Sequence, residues 1–312
     1  MIYDTIIIGS GAAGCSAAIY ATRYNLKTLM LGGPMPGGLI TEALDVENYP
    51  GHLSINGLEL SRLFINQAVN LGADYKIESV SDVVINKNEP GSFSVVTETN
   101  AYKGRSIIMA MGTVHRKLDV PGEQVLAGRG VSYCATCDGP FFKGKTVAVI
   151  GGGNSAVEGA QEISSHAKTV YIVYRSSLRA APLYVEHMKK NDKVVEVPQN
   201  SVKEILGDTL VKSIILENDF NGKRELDVDG VFVQIGYIPR NEIPKKIGIQ
   251  LTEYGYVKVD QGMGTSIKGI FCAGDLSNSS NQLHQQVTSA AEGAIAAQSA
   301  YRLLNGLEYI VN

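Results

Sequence analysis

The stretch YDTIIIGSGAAG, residues 3–14, decides the fold, because it joins a short apolar run to a glycine-rich turn. Gly9, Gly11 and Gly14 have the spacing of a dinucleotide fingerprint, and the composition of the next residues is typical of a helix. In such a unit the first glycine makes the turn, the second lets a phosphate approach the backbone, and the third allows close packing of helix on strand. The pattern therefore predicts a dinucleotide site, with a plain glycine-rich turn as the alternative.

A second copy of this pattern begins at TVAVI, residues 146–150. The sequence GGGNSA follows it and places Gly151, Gly153 and Ala156 at the three fingerprint positions, the last of which accepts alanine. The two units are too far apart in the chain for a solenoid repeat. They indicate two separate nucleotide-binding domains.

Later apolar segments complete this picture. Short strands are predicted in SIIMAMGT (106–113), GVFVQIGYIPRN (230–241) and GIFCAGD (269–275), and an alanine-rich helix is predicted over 286–304. The resulting fold class is α/β, with two Rossmann-like dinucleotide-binding domains, the second inserted into the first. The first domain is expected to comprise 1–115 and 243–312, and the second 116–242.

Composition narrows the range of functions. A chain of 312 residues with 44% hydrophobic and 19% charged residues is long enough for two ordinary globular cores. The net charge of −3 comes without a basic stripe, which argues against a nucleic-acid partner. No apolar run reaches membrane-spanning length, and the chain enters its first strand too early for a signal peptide. A cytoplasmic protein is expected.

Two of the four cysteines, Cys134 and Cys137, form a CxxC sequence followed directly by Asp138. Thiol exchange requires a thiolate, a second sulfur within reach and a proton donor or acceptor, and these three residues can supply them. Half of a zinc site and a pair of inert thiols are the alternatives. Cys15 and Cys272 have no metal-ligand spacing, so no metal is predicted and a packing role is favoured for both.

The nucleotide preference of the two sites depends on the residues that follow the second strand of each domain. In the first domain no acidic residue is present over 29–33, which argues against a simple NAD site. In the second domain Arg175 ends the strand KTVYIVYR (168–175) and Arg179 follows it, without an acidic residue. These arginines favour NADP, whose extra phosphate they would bind. The alternative is a pair of solvated arginines on a loop.

Together these motifs resemble low-molecular-weight thioredoxin reductases over essentially the whole chain. The resemblance is carried by six segments in order: GSGAAG (9–14), GG (37–38), VENYPG (46–51), GRGVSYCATCDG (128–139), VAVIGGGNSAVE (147–158) and GIFCAGD (269–275). It implies a homodimeric flavoprotein in which FAD occupies the first domain and NADPH the second. The Cys134/Cys137 pair would receive electrons from the flavin and reduce thioredoxin or a thioredoxin-like protein, and Asp138 would be the catalytic acid.

The resemblance also implies which residues contact each cofactor. For FAD they are Gly9, Ser10, Gly11, Ala12, Ala13, Gly14, Gly37, Gly38, Leu39, Asn48, Val83, Gly112, Gly274, Asp275, Gln286 and Val287. For NADPH they are Gly151, Gly153, Asn154, Ser155, Ala156, Arg175 and Arg179.

The NADPH signature of this family, His-Arg-Arg followed by another Arg, is altered here. Tyr174 replaces the histidine, Ser176 replaces the second arginine, and the stretch is one residue shorter. Some relatives with this fold and a CxxC take electrons from ferredoxin or a deazaflavin, so a disulfide reductase with such a donor is the first alternative. A dithiol oxidase and a non-catalytic redox-sensing flavoprotein are the others.

Overall fold

The structure, a computed structural model, describes residues 1–33, 36–43, 46–86, 92–133 and 135–307. The chain divides into two compact units: unit 1 is Met1–Val114 with Pro239–Asn312, and unit 2 is His115–Ile238. The second crossing between the units lies a few residues before the predicted boundary at 242/243. The assignment of a cofactor to each unit stays a prediction.

The chain builds the first part of unit 1 from short strands and two helices. They are β1 (Ile2–Tyr3), β2 (Thr5–Ile8), α1 (Ala12–Arg23), β3 (Thr28–Gly32), α2 (Gly57–Asn70), β4 (Asp74–Ile77), β5 (Val80–Ile85), β6 (Phe93–Thr97), β7 (Ala101–Gly104) and β8 (Ile107–Met109). Short 3-10 segments at Gly38–Glu42 and, late in the chain, at Ser280–Gln282 supplement them.

The chain passes into unit 2 along β9 (Thr113–His115) and leaves it along β18 (Tyr237–Pro239), and these two strands pair with each other. Between them lie β10 (Val131–Ser132), α3 (Ala135–Asp138), β11 (Thr146–Ile150), α4 (Asn154–Ser164), β12 (Thr169–Val173), α5 (Pro182–Lys189), β13 (Val194–Val197), β14 (Val202–Gly207), β15 (Val211–Phe220), β16 (Lys223–Asp227) and β17 (Gly230–Val233). The chain then completes unit 1 with α6 (Glu242–Lys246), β19 (Ile270–Cys272) and α7 (Gln286–Leu304).

Each unit contains a five-stranded parallel sheet. In unit 1 the order is β19-β8-β2-β3-β4, and in unit 2 it is β10-β17-β11-β12-β13. A second sheet accompanies each of them, β1-β7-β6-β5 in unit 1 and antiparallel β14-β15-β16 in unit 2. These sheets confirm the predicted α/β class. The carboxyl ends of parallel strands are where α/β proteins bind ligands, so the loops after β2 and β11 are where a site is expected.

The cores form on both faces of the parallel sheets. In unit 1, Ile7, Met30 and Ile108 point towards α1 and α7, whereas Ile6, Leu29 and Phe93 belong to the cluster on the other face. This split follows from the alternation of side chains along a strand. Because strands buried on both faces need apolar residues throughout, β2 and β3 are buried along their whole length.

Helices α1 and α7 pack closely because both are rich in small residues. A Cβ atom at Gly293 of α7 would lie 2.0 Å from the carbonyl oxygen of Ala13 in α1, so only glycine permits this approach. The last helix of the chain therefore packs directly on the helix that follows the first glycine turn. Among the described residues, no helix combines the length and the hydropathy needed to cross a bilayer.

Candidate active site

The first glycine turn joins β2 to α1 and separates structural glycines from an open one. Gly9 has φ +115°, and a Cβ there would lie 2.1 Å from the carbonyl oxygen of Ala110. A Cβ at Gly14 would lie 2.0 Å from the carbonyl oxygen of Gly9. At Gly11, by contrast, the nearest atom would be 3.7 Å away. The fold thus requires Gly9 and Gly14, whereas Gly11 leaves free space at the N-terminus of α1, where backbone N–H groups favour an anion.

A cavity of about 420 Å³ in unit 1 opens on this turn. Twelve of the residues predicted to bind FAD lie in its wall: Gly9, Ser10, Gly11, Ala12, Ala13, Gly37, Gly38, Leu39, Gly112, Gly274, Asp275 and Gln286. The structure therefore brings together, around one cavity, residues from five separate parts of the chain.

The other four predicted FAD residues lie outside the cavity wall. Gly14 is packed against the turn, as described above. Val83 is buried in the same core cluster as Phe93, and Val287 is 41% exposed on α7. The amide Nδ2 of Asn48 donates a hydrogen bond to Oε1 of Gln285 at 3.0 Å. That contact joins the loop after the glycine pair to the residue that precedes α7.

A further part of the wall, residues 78–81, was not predicted from the sequence; it comprises the link between β4 and β5 and the first two residues of β5. The Glu78 carboxylate accepts hydrogen bonds from the Thr97 hydroxyl at 2.7 Å and the Tyr102 phenol at 2.9 Å. The bond from Thr97 is the main cause that lowers the pKa of Glu78. These partners come from distant strands, so no local pattern could have identified Glu78.

The missing acid after β3 also has a structural explanation. A Cβ at Gly32 would lie 2.6 Å from the Tyr75 phenol oxygen and 2.7 Å from the Ser10 hydroxyl oxygen. The aromatic side chain from β4 therefore occupies the space that a longer side chain at position 32 would need.

Asp275 follows β19 and is held by the start of α7. Its carboxylate accepts a hydrogen bond from the Ser289 hydroxyl at 3.0 Å. Burial raises the pKa of Asp275, and this effect is opposed by His284 and by the Ser289 hydrogen bond. A buried acceptor of this kind suits sugar-like hydroxyl groups, which can donate to it.

Two polar atoms in the cavity wall are suited to a dinucleotide. The Gln286 Oε1 and the Thr113 hydroxyl are buried and have no hydrogen-bond partner among the described residues. Buried polar atoms normally have partners, so a ligand that fills the cavity is the natural source of theirs. With the open space at Gly11, these atoms show that the residues present fit a large polar cofactor such as FAD.

The CxxC sequence lies in unit 2. Cys134 is outside the described residues, and of Cys137 only the backbone, in α3, is described. Helix α3 packs on α4 closely enough that a Cβ at Gly159 would lie 3.0 Å from the Ala135 Cβ. Asp138 ends α3 and is half-buried. The catalytic roles predicted for the two cysteines and Asp138 stay predictions.

The two remaining cysteines are buried in unit 1. The Cys15 thiol donates to the carbonyl oxygen of Ser10 at 3.2 Å, and burial raises its pKa to about 12. Burial also raises the pKa of Cys272, with a smaller effect from Glu292. Both thiols therefore stay protonated and unreactive at neutral pH. Within the described ranges, no cluster of three or more His, Cys, Asp or Glu side chains could hold a metal ion.

The second glycine turn, between β11 and α4, repeats the geometry of the first. Gly151 has φ +143°, and its Cβ would lie 2.1 Å from the carbonyl oxygen of Gln234. Gly153, the N-cap residue of α4, has no atom within 4 Å of its would-be Cβ. Ala156 is buried, 3.0 Å from the would-be Cβ of Gly151. This turn is thus also open at its middle glycine.

The loop after β12 is fastened to this turn. The backbone N–H of Arg179 donates to the carbonyl oxygen of Gly152 at 2.6 Å, and that of Ala181 donates to the Asn154 side chain at 2.8 Å. The side chains of Arg175 and Arg179 are exposed. Tyr174, in contrast, directs its phenol to Glu196, 2.6 Å away. The two arginines remain available at the edge of the turn.

Comparison with known proteins agrees with this arrangement. The family model described as pyridine nucleotide-disulphide oxidoreductase matches residues 3–294. The thioredoxin reductase of Listeria innocua serovar 6a is 42% identical over 98% of this chain and 95% of its own length. That of Bacillus subtilis (strain 168) is 42% identical over 98% of this chain and 96% of its own length.

A solved structure is similar over the same extent. The thioredoxin reductase of Lactococcus lactis in its FR conformation has a TM-score of 0.90 and 37% identity, covering 98% of this chain and 100% of its own. The resemblance noted from the sequence motifs is thereby confirmed. With two open glycine turns, a CxxC in the second unit and relatives that match nearly end to end, the chain belongs to the pyridine nucleotide-disulphide oxidoreductase family.

Proposed function

We propose that this chain is a thioredoxin-disulfide reductase that uses FAD in unit 1 and NADPH in unit 2. Electrons would pass from NADPH to FAD, from FAD to the Cys134/Cys137 pair, and from that pair to thioredoxin. The main support is the cavity of unit 1, whose wall carries an open Gly11 and two buried polar atoms that lack partners. The near full-length similarity to thioredoxin reductases supports the choice of substrate. The thioredoxin reductases of this family use FAD and NADPH.

The residues of unit 1 would hold FAD in complementary ways. The N–H groups at Gly11 and Ala12 would bind the pyrophosphate at the start of α1. Asp275 would accept from ribityl hydroxyls, and the N-terminus of α7 at Gln286 would face the electron-rich ring. The remaining proposed contacts in the cavity wall are Gly9, Ser10, Ala13, Gly37, Gly38, Leu39, Gly112 and Gly274. Outside the wall, Gly14, Asn48, Val83 and Val287 stay predicted contacts that rest on the resemblance alone. When bound, FAD supplies the two-electron chemistry that links the nucleotide to the disulfide.

The residues of unit 2 would hold NADPH at the second turn. Gly153 would admit the pyrophosphate, Gly151 and Ala156 would shape the turn around it, and Asn154 and Ser155 begin the helix that faces it. Arg175 and Arg179 would bind the 2′-phosphate through charge-assisted hydrogen bonds. The hydrogen bonds that hold this loop to Gly152 and Asn154 keep the two arginines near the turn, although the loop is one residue shorter than the family signature.

The cysteines would carry out the exchange with thioredoxin. One thiolate of the reduced pair attacks a sulfur of the thioredoxin disulfide, forming a mixed disulfide and releasing one thioredoxin thiolate. The second cysteine then attacks the mixed disulfide, which releases the other thioredoxin thiolate and closes the Cys134–Cys137 bond. Asp138, next to Cys137, would hold and return the proton that these steps require.

A homodimer and a cytoplasmic location are part of the same proposal. Unit 1 has a second cavity, of about 970 Å³, beside α1 and α2, and its wall includes the partly exposed Tyr20, Leu63 and Leu71. A second copy of the chain would cover these apolar side chains. A catalytic disulfide that is reduced and formed again in each turnover is the kind usually found in the reducing cytosol.

Anaerobic titration of the FAD-loaded protein would test the proposal. We expect NADPH, and NADH far less, to bleach the visible flavin band, and we expect added thioredoxin to restore it. Substituting Arg179→Ser should weaken NADPH by about ten-fold, the effect of one charge-assisted contact, and leave NADH unchanged. Arg224→Ser, which removes an exposed arginine paired with Asp219 in the same unit, is the control.

The outcomes separate the alternatives. Bleaching by reduced ferredoxin or a deazaflavin, with none by either nucleotide, would replace NADPH as the donor. Flavin that is reduced by NADPH but never reoxidised by thioredoxin would indicate a redox sensor instead of a reductase.

A further inference from the structure

Unit 2 contains a fully buried carboxylate that the proposed chemistry does not use. Glu123 is 0% exposed. Its Oε1 accepts hydrogen bonds from the Leu118 N–H and the Tyr133 phenol, both at 2.8 Å, and its Oε2 accepts from the Asp119 N–H at 2.7 Å. Burying a carboxylate is costly unless donors replace the lost water. The identity of the three donors therefore shows what this carboxylate holds together.

Two of the donors belong to the segment by which the chain enters unit 2. This segment begins at His115, the last residue of β9. Asp119 has φ +57°, a left-handed conformation that residues other than glycine rarely adopt. The surrounding structure must stabilise such a conformation, and the hydrogen bonds from the Leu118 and Asp119 N–H groups to Glu123 do so. The carboxylate thus fixes the path of the entering segment.

The third donor, Tyr133, is the residue directly before Cys134. Its backbone carbonyl accepts a hydrogen bond from the Gln234 side chain at 2.9 Å. The centroid of its ring lies 5.9 Å from that of the His115 ring, and the His115 centroid lies 5.2 Å from that of the Tyr237 ring on β18. Burial, together with the Glu123 carboxylate, raises the pKa of Tyr133, so its phenol remains a donor. Side chain, carbonyl and ring of this residue are all fixed.

Gln234 extends this network to the second glycine turn. Its backbone carbonyl oxygen is the atom that a Cβ at Gly151 would meet at 2.1 Å. Its N–H donates to the carbonyl oxygen of Ile150 at 2.8 Å. One residue thus touches both the proposed nucleotide turn and the peptide that leads into the CxxC.

We propose that Glu123 and Tyr133 are positioning residues for the thiol–disulfide exchange of Cys134 and Cys137. They fasten the chain on entry to the CxxC to the segments by which unit 2 begins and ends. The role rests on the proposed function, because it serves the exchange step. Since a cysteine pair reacts according to access and geometry, a fixed entry peptide sets its exchange rate.

The decisive variant is Tyr133→Phe, which keeps the ring and removes only the donor to Glu123. Tyr3→Phe is the matched control, because its phenol also donates to a carboxylate, Asp74 at 3.0 Å, but in unit 1 and outside the proposed site. Both proteins are prepared with FAD, reduced with dithiothreitol, desalted and treated with iodoacetamide. Mass spectrometry then follows alkylation of Cys134 and Cys137 separately, and steady-state assays give kcat and KM with thioredoxin.

We expect Tyr133→Phe to raise the alkylation rate of Cys134 and to lower kcat with thioredoxin, each by about ten-fold, the effect of one hydrogen bond to a charged group. The KM for NADPH and the FAD content should not change, and Tyr3→Phe should match the wild type in all four. Glu123→Gln should show the same changes more strongly, because its amide sets an N–H against a backbone donor.

Rates for Tyr133→Phe within two-fold of those for Tyr3→Phe would overturn the proposal, even if the protein were less stable. Since the alkylation uses a chemical reductant, it remains informative if the wild type does not reduce thioredoxin. A wild type that does not reduce thioredoxin would refute the proposed function, but the alkylation rates would still test whether Tyr133 positions the cysteine pair.

Discussion

The backbone N–H of Gly274 donates a hydrogen bond to the buried carboxylate of Glu292 at 2.7 Å. The same carboxylate oxygen accepts from the Ser277 hydroxyl at 2.9 Å, and Glu292 is only 4% exposed. Since Ser289 holds Asp275 between these two contacts, α7 fixes the whole turn that carries Asp275 from its buried side.

Removing this carboxylate should loosen the turn. Glu292→Ala leaves two buried donors without an acceptor, and we expect it to lower the free energy of unfolding of the apoprotein by about 2–4 kcal/mol. FAD content should fall as well. Urea unfolding and the ratio of flavin to protein absorbance measure the two effects. Glu186→Ala, an exposed helical glutamate paired with Lys190, should change stability by no more than about 0.5 kcal/mol. An equal effect of the two substitutions would contradict this role for Glu292.

The glycines of the first turn should respond differently to alanine. At Gly11, φ is −72° and the nearest atom to the added methyl is 3.7 Å away, so the apoprotein should keep its stability. FAD content should fall, because the methyl enters the space proposed for the pyrophosphate. At Gly14 the methyl meets a backbone oxygen at 2.0 Å, and the apoprotein itself should be destabilised. Thermal unfolding of apoprotein and holoprotein separates these cases. Normal flavin binding by Gly11→Ala would argue against a cofactor at this turn.

Asp275 should make the apoprotein less stable as the pH rises. Burial raises its pKa above the ordinary 3.8, so folding takes up a proton at pH values between 3.8 and the pKa of the folded protein. Its contribution to stability is therefore complete below pH 3.8 and is lost as the pH rises through the folded pKa. Asp275→Asn should stabilise the apoprotein at pH 7, with the gain vanishing near pH 3.8, and should weaken FAD binding.

Asp82 supplies a control of opposite sign. The hydrogen bond from Lys246 lowers its pKa, so its contribution is present at neutral pH and is lost on acidification. Asp82→Asn should therefore reduce stability at pH 7 and not increase it. Unfolding free energies measured from pH 3.5 to pH 8 test both variants. If the curve of Asp275→Asn ran parallel to that of the wild type, the pKa of the Asp275 carboxyl would not be raised by folding.

Thiol counts should separate the two kinds of cysteine. Because burial keeps Cys15 and Cys272 protonated, neither should react with Ellman's reagent in the native protein at pH 7.5. Reduction by NADPH should expose two new thiols per chain, those of Cys134 and Cys137, and denaturation should expose all four. No new thiols on flavin reduction would show that the pair is not coupled to the flavin. Native Cys134→Ser protein should titrate as a single thiol.

Local patterns predicted the elements whose signals are contiguous in the chain. The predicted helix over 286–304 coincides with α7, and the predicted strand in GIFCAGD contains β19. The spacing of Gly9 and Gly14 anticipated the close contacts that the structure shows. These features depend on steric limits between near neighbours, which sequence alone can express.

Features that depend on distant partners could not be predicted in this way. Glu78 takes its hydrogen bonds from other strands, Glu292 reaches back to the turn at Gly274, and Glu123 meets Tyr133 across a loop. Each of these carboxylates looks like an ordinary surface residue in the sequence. Only the tertiary fold shows that two of them, Glu123 and Glu292, are buried. The role of Tyr75, which occupies the space of the missing acid after β3, likewise depends on a distant part of the chain.

The close packing of α7 on α1 also determines the order in which the chain can fold during synthesis. The ribosome completes residues 115–238 before α7 is made, so unit 2 can assemble while α1 still lacks the helix that covers it. Until Gly293 meets Ala13, the apolar face of the N-terminal segment stays uncovered. In chains truncated after residue 238 and released from the ribosome, unit 2 should therefore resist protease while residues 1–114 remain open to cleavage and to capture by chaperones.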